Sequence, residues 1–197
     1  TLHIYDPATR ENSSFPVKER VGTVVPVAKG GVLLALQNGI HFMNTQTGAL
    51  RFIANPLTDN NIRFNDGKCD PSGRLWVGSM HLAFTEGVAS LYRMDTDKTV
   101  HQILEGVTVS NGIAWTKNRD TMYYVDSHLR RIDAFDYNDA DGSIANRRTV
   151  VTIPLGGGSP DGIALDAEGK IWAALWGANA VSRFDPETGE LLQKIEV

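Results

Sequence analysis

Cysteine is nearly absent: Cys69 is the only one in 197 residues. One thiol excludes an internal disulfide framework and fits a reducing compartment. No His stands near it in sequence, so it reads as a small buried hydrophobe rather than a nucleophile. Long apolar runs are missing too. Nothing approaches the ~18 residues a membrane-spanning helix needs, so no membrane association is expected. Positive charge is not in excess: 19 Lys and Arg against 23 Asp and Glu give a formal charge of −4. A nucleic-acid partner would want a basic patch, so none is expected. No segment carries a long 3.6-residue periodicity, which leaves few helices. The chain shows no initiating Met and no signal-peptide pattern. A cytoplasmic location is the expectation, with secretion left open.

Several catalytic signatures are absent as well. No Ser is presented in G-x-S-x-G, so there is no nucleophile elbow. The "GGGS" at 156–159 lacks the Gly-x-x-x-x-Gly-Lys pattern of a phosphate loop and reads as a flexible connection. The Asp-rich "DYNDADG" at 136–142 has Arg147 where a calcium-loop Glu would stand, so it reads as an outer turn. His3, His41, His81, His101 and His128 show no ligand spacing and read as surface or strand residues. Trp76, Trp115, Trp172 and Trp176 read mostly as core.

What is present is a repeat. A strand ending in a polar residue and a turn appears as "LHIYDPATRE" at 2–11 and "IHFMNTQTGA" at 40–49. It returns as "LYRMDTDKT" at 91–99, "IDAFDYNDADG" at 132–142 and "VSRFDPETGE" at 181–190. A turn followed by a short apolar strand precedes it, as "AKGGVLLAL" at 28–36 and "DPSGRLWVG" at 70–78. The same pattern recurs as "TKNRDTMYYV" at 116–125 and "DAEGKIWAAL" at 166–175. Units of about 40–50 residues built from short β-branched and aromatic strands are the mark of a β-propeller blade. A β-sandwich also has short strands but does not explain a fixed order of motifs. The expectation is therefore an all-β chain, a single β-propeller domain over 1–197. About four blades are present, and the chain begins and ends within the ring.

Each of three units carries a polar residue before a Gly: "FNDG" at 64–67, "VSNG" at 109–112 and "SPDG" at 159–162. Aligning Gly67, Gly112 and Gly162 brings Asp66, Asn111 and Asp161 into register. In a propeller the first strands of successive blades converge on the axis. Carboxylate and amide oxygens gathered there suit a hard divalent cation. Asn-Gly and Asp-Gly are equally the commonest tight-turn dipeptides. The pattern alone leaves a metal site and a set of reused turns both open.

The motifs "NIRFNDGKCDPSGRLWVGSM", "VSNGIAW", "YYVDS", "DAFDYN…GSIANRR" and "PDGIALDAEGKIWAA" resemble the regucalcin/gluconolactonase family, the senescence-marker-protein group that includes luciferin-regenerating enzyme. The resemblance covers nearly the whole chain. It implies a six-bladed propeller in the parent fold with one divalent metal on the axis. That metal would be Ca²⁺ first, with Mg²⁺, Mn²⁺ or Zn²⁺ as alternatives. It implies hydrolysis of a small-molecule sugar lactone by a metal-polarised carbonyl and an activated water. Related chemistries are esterase and phosphotriesterase; a non-catalytic calcium-binding propeller is the rival class. By resemblance, Asn111 and Asp161 hold the metal, Arg63 and Asn65 contact substrate, and Asp161 is the candidate catalytic base. The resemblance favours Asn65 over Asp66 as the axial group of its unit. The family's third metal ligand, a Glu, has no counterpart here, so the chain reads as a fragment lacking N- and C-terminal parts. Some members also carry an acidic substrate contact after "G-[ST]-M". Here that stretch is "SMHLAFTEG", where Glu86 stands in a different loop.

Overall fold

The computed structural model describes residues 1–197. It contains 18 strands and a single 3₁₀ turn, Ser127–Leu129. A two-stranded hairpin, β1 (Leu2–Asp6) with β2 (Glu11–Phe15), opens the chain. Four four-stranded antiparallel sheets follow. The first is β3 (Val21–Pro26), β4 (Val32–Leu36), β5 (Gly39–Met43) and β6 (Leu50–Ala54). The second is β7 (Ile62–Cys69), β8 (Leu75–His81), β9 (Ala89–Met94) and β10 (Val100–Val107). The third is β11 (Ser110–Trp115), β12 (Thr121–Asp126), β13 (Arg131–Asn138) and β14 (Ser143–Thr152). The fourth is β15 (Ser159–Leu165), β16 (Ile171–Trp176), β17 (Ala180–Phe184) and β18 (Leu191–Glu196). Strand order within each sheet is sequence order. This is the β-propeller architecture expected from the repeat.

The two repeated motifs land on equivalent strands. The turn-then-apolar motif becomes the second strand of each sheet, β4, β8, β12 and β16. The strand-then-turn motif becomes the third, and β1 carries the same pattern. "DPSGRLW" and "DAEGKIW" show how the local sequence builds its turn. Asp70 Oδ1 accepts from the Ser72 and Arg74 amides, and Asp166 Oδ1 from those of Glu168 and Lys170. Gly73 and Gly169 close these turns at φ +83° and +77°, where a side chain would be strained. The other carboxylate oxygen takes the indole N–H of the Trp six residues on, Trp76 at 3.0 Å and Trp172 at 3.1 Å.

In β8 and β12 the apolar runs Leu75–Val77 and Met122–Val125 have both of their faces buried. Along β8, Leu75 and Val77 pack toward Val25 and Ile40 of the first sheet, joined by Phe64 of β7. Trp76, between them, points the other way, into a cluster with Ile113, Met122, Tyr124 and Phe135 of the third sheet. Along β12, Met122 and Tyr124 face the second sheet, while Tyr123 and Val125 face the fourth. Period-two alternation therefore feeds the cores on either side. A second tie joins the second and third sheets: Tyr137 Oη donates to Asp70 at 2.8 Å, and Arg74 Nη2 donates to Tyr137 Oη at 2.9 Å. The first strands pack in sequence, β3 on β7, β7 on β11 and β11 on β15. Their convergence is direct: Lys68 on β7 reaches over to the Ile163 carbonyl on β15, at 3.1 Å.

Candidate active site

The three polar motifs do not form hairpin turns. Each lies inside a first strand, at a β-bulge, where two residues oppose one on the partner strand. Phe64 pairs with Ser79 and Gly67 with Val77, so Asn65 and Asp66 share the place opposite Gly78. Ser110 pairs with Asp126 and Ile113 with Tyr124, leaving Asn111 and Gly112 opposite Val125. Pro160 pairs with Leu175 and Ile163 with Ala173, leaving Asp161 and Gly162 opposite Ala174. Asn65, Asn111 and Asp161 thus occupy one position of the bulge, and Asp66 matches Gly112 and Gly162. The glycine alignment is off by one residue in the second sheet. Asn65, not Asp66, is the counterpart of the other two.

The bulge also explains the small residue after Asn111. A Cβ on Gly112 would stand 2.6 Å from the Asp161 carbonyl oxygen and 2.7 Å from the Ile163 nitrogen. Only glycine lets β11 approach β15 this closely.

Arg63, Asn65, Asn111 and Asp161 line a single cavity of about 440 Å³. Its wall is completed by Met80, Phe84, Thr108, Val109, Ser127 and His128, with Ser159 and Trp176 beside Asp161. A one-way chain of hydrogen bonds runs along its floor. Arg63 Nη1 donates to Asn65 Oδ1 at 2.9 Å. Asn65 Nδ2 donates to Asn111 Oδ1 and to the Ser110 carbonyl, each at 2.8 Å. Asn111 Nδ2 donates to Ser127 Oγ at 2.7 Å, and Ser127 Oγ donates to the Pro160 carbonyl at 2.5 Å. The chain begins at a guanidinium, which only donates, and ends at a carbonyl, which only accepts. Both amides are therefore fixed in orientation. Asn111 keeps its nitrogen on Ser127 and its oxygen, with a lone pair to spare, on the Asn65 side.

Supporting groups hold these parts. Asp126 is buried, and its carboxylate accepts from the Thr108 and Val109 amides at 3.0 Å each. It also caps the 3₁₀ turn that carries Ser127, accepting from the His128 amide at 3.3 Å. The "DS" of "YYVDS" thus serves the site twice. Burial and the charge of Arg20 pull the Arg63 guanidinium below its usual value. Burial raises the Asp66 carboxyl above the usual carboxylate range. The Gly67 amide and Lys68 oppose that rise, and the negative charge of Asp161 adds to it.

The donor set fits a hard cation. Asn111 Oδ1 and the Asp161 carboxylate are oxygens on adjacent first strands, and none of the chain's side-chain hydrogen bonds engages the Asp161 carboxylate. The 197 residues bring no cluster of three His, Cys, Asp or Glu together. The set within this chain is one amide and one carboxylate.

Eight wall residues, Met80, Phe84, Thr108, Val109, Ser127, His128, Ser159 and Trp176, escaped the sequence reading. Ser127 has no chemical signature beyond following Asp126. His128 lines the cavity and places Nε2 3.3 Å from Glu86 Oε1. Phe84 comes from the loop after β8. Trp176, expected among core tryptophans, is 75% exposed at the cavity instead. It ends β16 opposite Ser159, where the strand leaves the core. The "GGGS" stretch, read as a flexible loop, delivers Ser159 to β15 and to the wall.

The family described as SMP-30/Gluconolactonase/LRE-like region matches residues 1–197. Regucalcin of Xenopus laevis is 36% identical over 199 residues, covering 98% of this chain and 67% of that protein. A crystal structure of regucalcin from Agrobacterium tumefaciens, described as a calcium-binding protein, superposes with a TM-score of 0.92 at 27% identity. That match covers 99% of this chain and 66% of the other. The gluconolactonase XC5397 of Xanthomonas campestris shares the fold, with a TM-score of 0.72 at 20% identity over 90% of this chain and 62% of its own. The chain thus spans about two thirds of the length of these relatives.

Proposed function

The chain belongs to the SMP-30/gluconolactonase/LRE-like family, and from that premise we propose that the protein carrying it is a metal-dependent hydrolase that opens a lactone ring. Sugar lactones, the substrates the family's name implies, are the first to assay. The observation that supports this most is the gathering of Arg63, Asn65, Asn111 and Asp161 around one cavity from two neighbouring bulges and a third beside them.

Asn111 Oδ1 and Asp161 would hold the metal, with a further acidic ligand from outside these 197 residues. Ca²⁺ is the first candidate, since hard oxygen donors suit it. When bound, the cation supplies Lewis-acid polarisation of the lactone carbonyl. The remaining work belongs to side chains of this chain. Asp161 takes a proton from the attacking water as the water oxygen bonds to the carbonyl carbon. The ring C–O bond breaks, and the ring oxygen takes the proton held by Asp161 and leaves as the hydroxyl of an open hydroxy acid. A carboxylate beside a cation is a weaker base than a free one, so this role needs an Asp161 oxygen outside the coordination sphere. Arg63 points its remaining guanidinium N–H groups at substrate oxygens, while Asn65 fixes Arg63 and Asn111 relative to each other.

The test is hydrolysis of a lactone panel by the complete protein, with and without chelator. Chelation should abolish turnover, and added Ca²⁺ should restore it. Asp161→Asn should cost at least about a hundredfold in kcat, the scale of a lost general base. Undiminished turnover in Asp161→Asn, or metal binding with no turnover of any lactone or ester, would refute the assignment. The second of these results would favour a calcium-binding scaffold.

A further inference from the structure

A second cavity, of about 450 Å³, lies between the first and second sheets at the other end of the strands from the site. It is reached from Pro26 and Cys69, which end β3 and β7, and from Leu75, which starts β8. The repeat shows where it comes from. The Val27 and Gly30 amides donate to the Gly31 and Val27 carbonyls, as the Asp70 and Gly73 amides donate to those of Arg74 and Asp70. Leu33 pairs with Phe42 as Trp76 pairs with Arg93. Val27, Gly31 and Leu33 therefore hold the places of Asp70, Arg74 and Trp76. Between the second and third sheets those three fill the space with a carboxylate, a guanidinium and an indole bound to one another and to Tyr137. Between the first and second sheets, smaller apolar residues leave a cavity walled by Leu33, Phe42, Ile53, Leu75 and Met94.

The wall is apolar, but the charge that rims it is positive. Arg51 and Lys98 both line the cavity, and neither meets a carboxylate of this chain. The one carboxylate there, Asp95, is already engaged by Arg93 Nε at 2.7 Å and His101 Nε2 at 3.0 Å. Both free cations are held in place. The Arg51 guanidinium lies over the Phe42 ring, 5.6 Å from its centroid. That ring rests on Gly31, where a Cβ would stand 2.6 Å from Phe42 Cζ. Lys98 sits at φ +77°, a conformation that costs a residue with a side chain energy. Gly48, Gly142 and Gly189 close the corresponding turns of the other three sheets at φ +71°, +70° and +76°. A cation thus stands at the cavity where the other sheets use glycine. An apolar slot rimmed by two unpaired cations matches a ligand with an apolar body and one anionic end.

We infer that this cavity binds a small amphipathic carboxylate, with its alkyl or aryl body between the sheets and its carboxylate on Arg51 and Lys98. The inference goes beyond the lactonase reading and does not depend on it. Calorimetry on the complete protein with octanoate as the probe should show saturable binding, with each methylene removed costing about fourfold. 1-Octanol should bind about tenfold more weakly, and octylammonium more weakly still. Lys98→Gly, which restores the residue of the other sheets, combined with Arg51→Gln should weaken octanoate about tenfold, the scale of two exposed ion pairs. The same double variant should leave 1-octanol within about twofold. Leu33→Trp, which places the indole of the second sheet in the cavity, should abolish binding of both. Cys69 lines the cavity, so octanoate should also slow its alkylation, read on the Cys69 peptide by mass spectrometry. Absence of saturable octanoate binding, or octylammonium binding as tightly as octanoate, would overturn the inference. So would octanoate affinity unmoved in the Arg51→Gln, Lys98→Gly variant, which would place the ligand elsewhere.

Discussion

Ser127→Ala removes one oxygen and cuts the floor network in the middle. The lost hydroxyl accepts from Asn111 Nδ2 at 2.7 Å and donates to the Pro160 carbonyl at 2.5 Å. Asn111 and Ser127 are both about 9% exposed, so water replaces the missing oxygen poorly. Leaving a buried amide donor and a buried carbonyl without partners costs about 1–3 kcal/mol in stability. Asn111 has no relief by flipping its amide, because Nδ2 would then meet the Nδ2 of Asn65. The amide instead loses the anchor that aims its oxygen. Loss of an outer partner of a metal ligand typically lowers affinity about 10–100-fold. Calcium titration calorimetry on the complete protein measures this, and urea unfolding measures the stability cost. The variant should bind calcium at least about tenfold more weakly at a temperature where circular dichroism shows it folded. Calcium affinity within twofold of the parent, in a folded Ser127→Ala, would refute the account of Asn111 as an oriented ligand.

Two further outcomes follow from the geometry. Gly112→Ala places a methyl 2.6 Å from the Asp161 carbonyl oxygen, a backbone atom that cannot swing away. Strands β11 and β15 must part, at about 1–3 kcal/mol or more, so calcium binding should fall along with the unfolding midpoint. A Gly112→Ala variant with both unchanged would contradict the close approach. Asp70 predicts an acid dependence. Burial alone would raise its carboxyl, but hydrogen bonds from Arg74, Trp76 and Tyr137 outweigh burial and hold it below the usual range. A depressed folded value means stability that is complete above the unfolded value of about 3.9 and is lost as pH falls through the folded one. Asp70→Asn should therefore be clearly less stable than the parent at pH 7, and the gap should shrink below pH 4. A gap of equal size at pH 7 and pH 3, read from urea midpoints, would show that Asp70 contributes no such linkage.

The fold was legible because the apolar runs of β8 and β12 are buried on both faces. "LWV" at 75–77 and "MYYV" at 122–125 carry no polar residue, and each alternate side chain feeds a different core. The turn residues that precede them, Asp70 and Asp166, recur at the same distance from Gly and Trp, so the repeat could be read without knowing its shape. The loop after β8 could not be read in this way. The chemistry of "HLAFTEGV" says nothing of Phe84 at positive φ, because that geometry depends on Thr108 and His128, which are distant in sequence. Trp176 misled for a similar reason. Trp76 and Trp172 both follow an Asp by six residues and find it with their N–H groups, whereas Trp176 has no such Asp and sits where its strand ends.

The site itself was legible by residue type but not by register. Glycine marks a bulge from sequence, yet it marks two different places in it. In "SNG" and "PDG" the glycine is the second bulged residue. In "FNDG" that place is taken by Asp66, and Gly67 belongs to the ladder opposite Val77. The structural reason is what each glycine touches. Gly112 admits the Asp161 carbonyl of the next strand, and Gly67 admits the Trp76 carbonyl of its own sheet. Only the ladder tells these apart, because a glycine in sequence shows that something comes close and not what. Once Asn65 is set beside Asn111 and Asp161, the order of residue types becomes informative. A donor-only Arg63 stands at one end and the carbonyl of Pro160 at the other. Two amides and a hydroxyl lie between them, and each of these can both accept and donate. With those end groups the hydrogen bonds can run in one direction only. The side-chain oxygen offered by Asn111 is therefore fixed by three other side chains and one backbone carbonyl of this chain before any cation arrives.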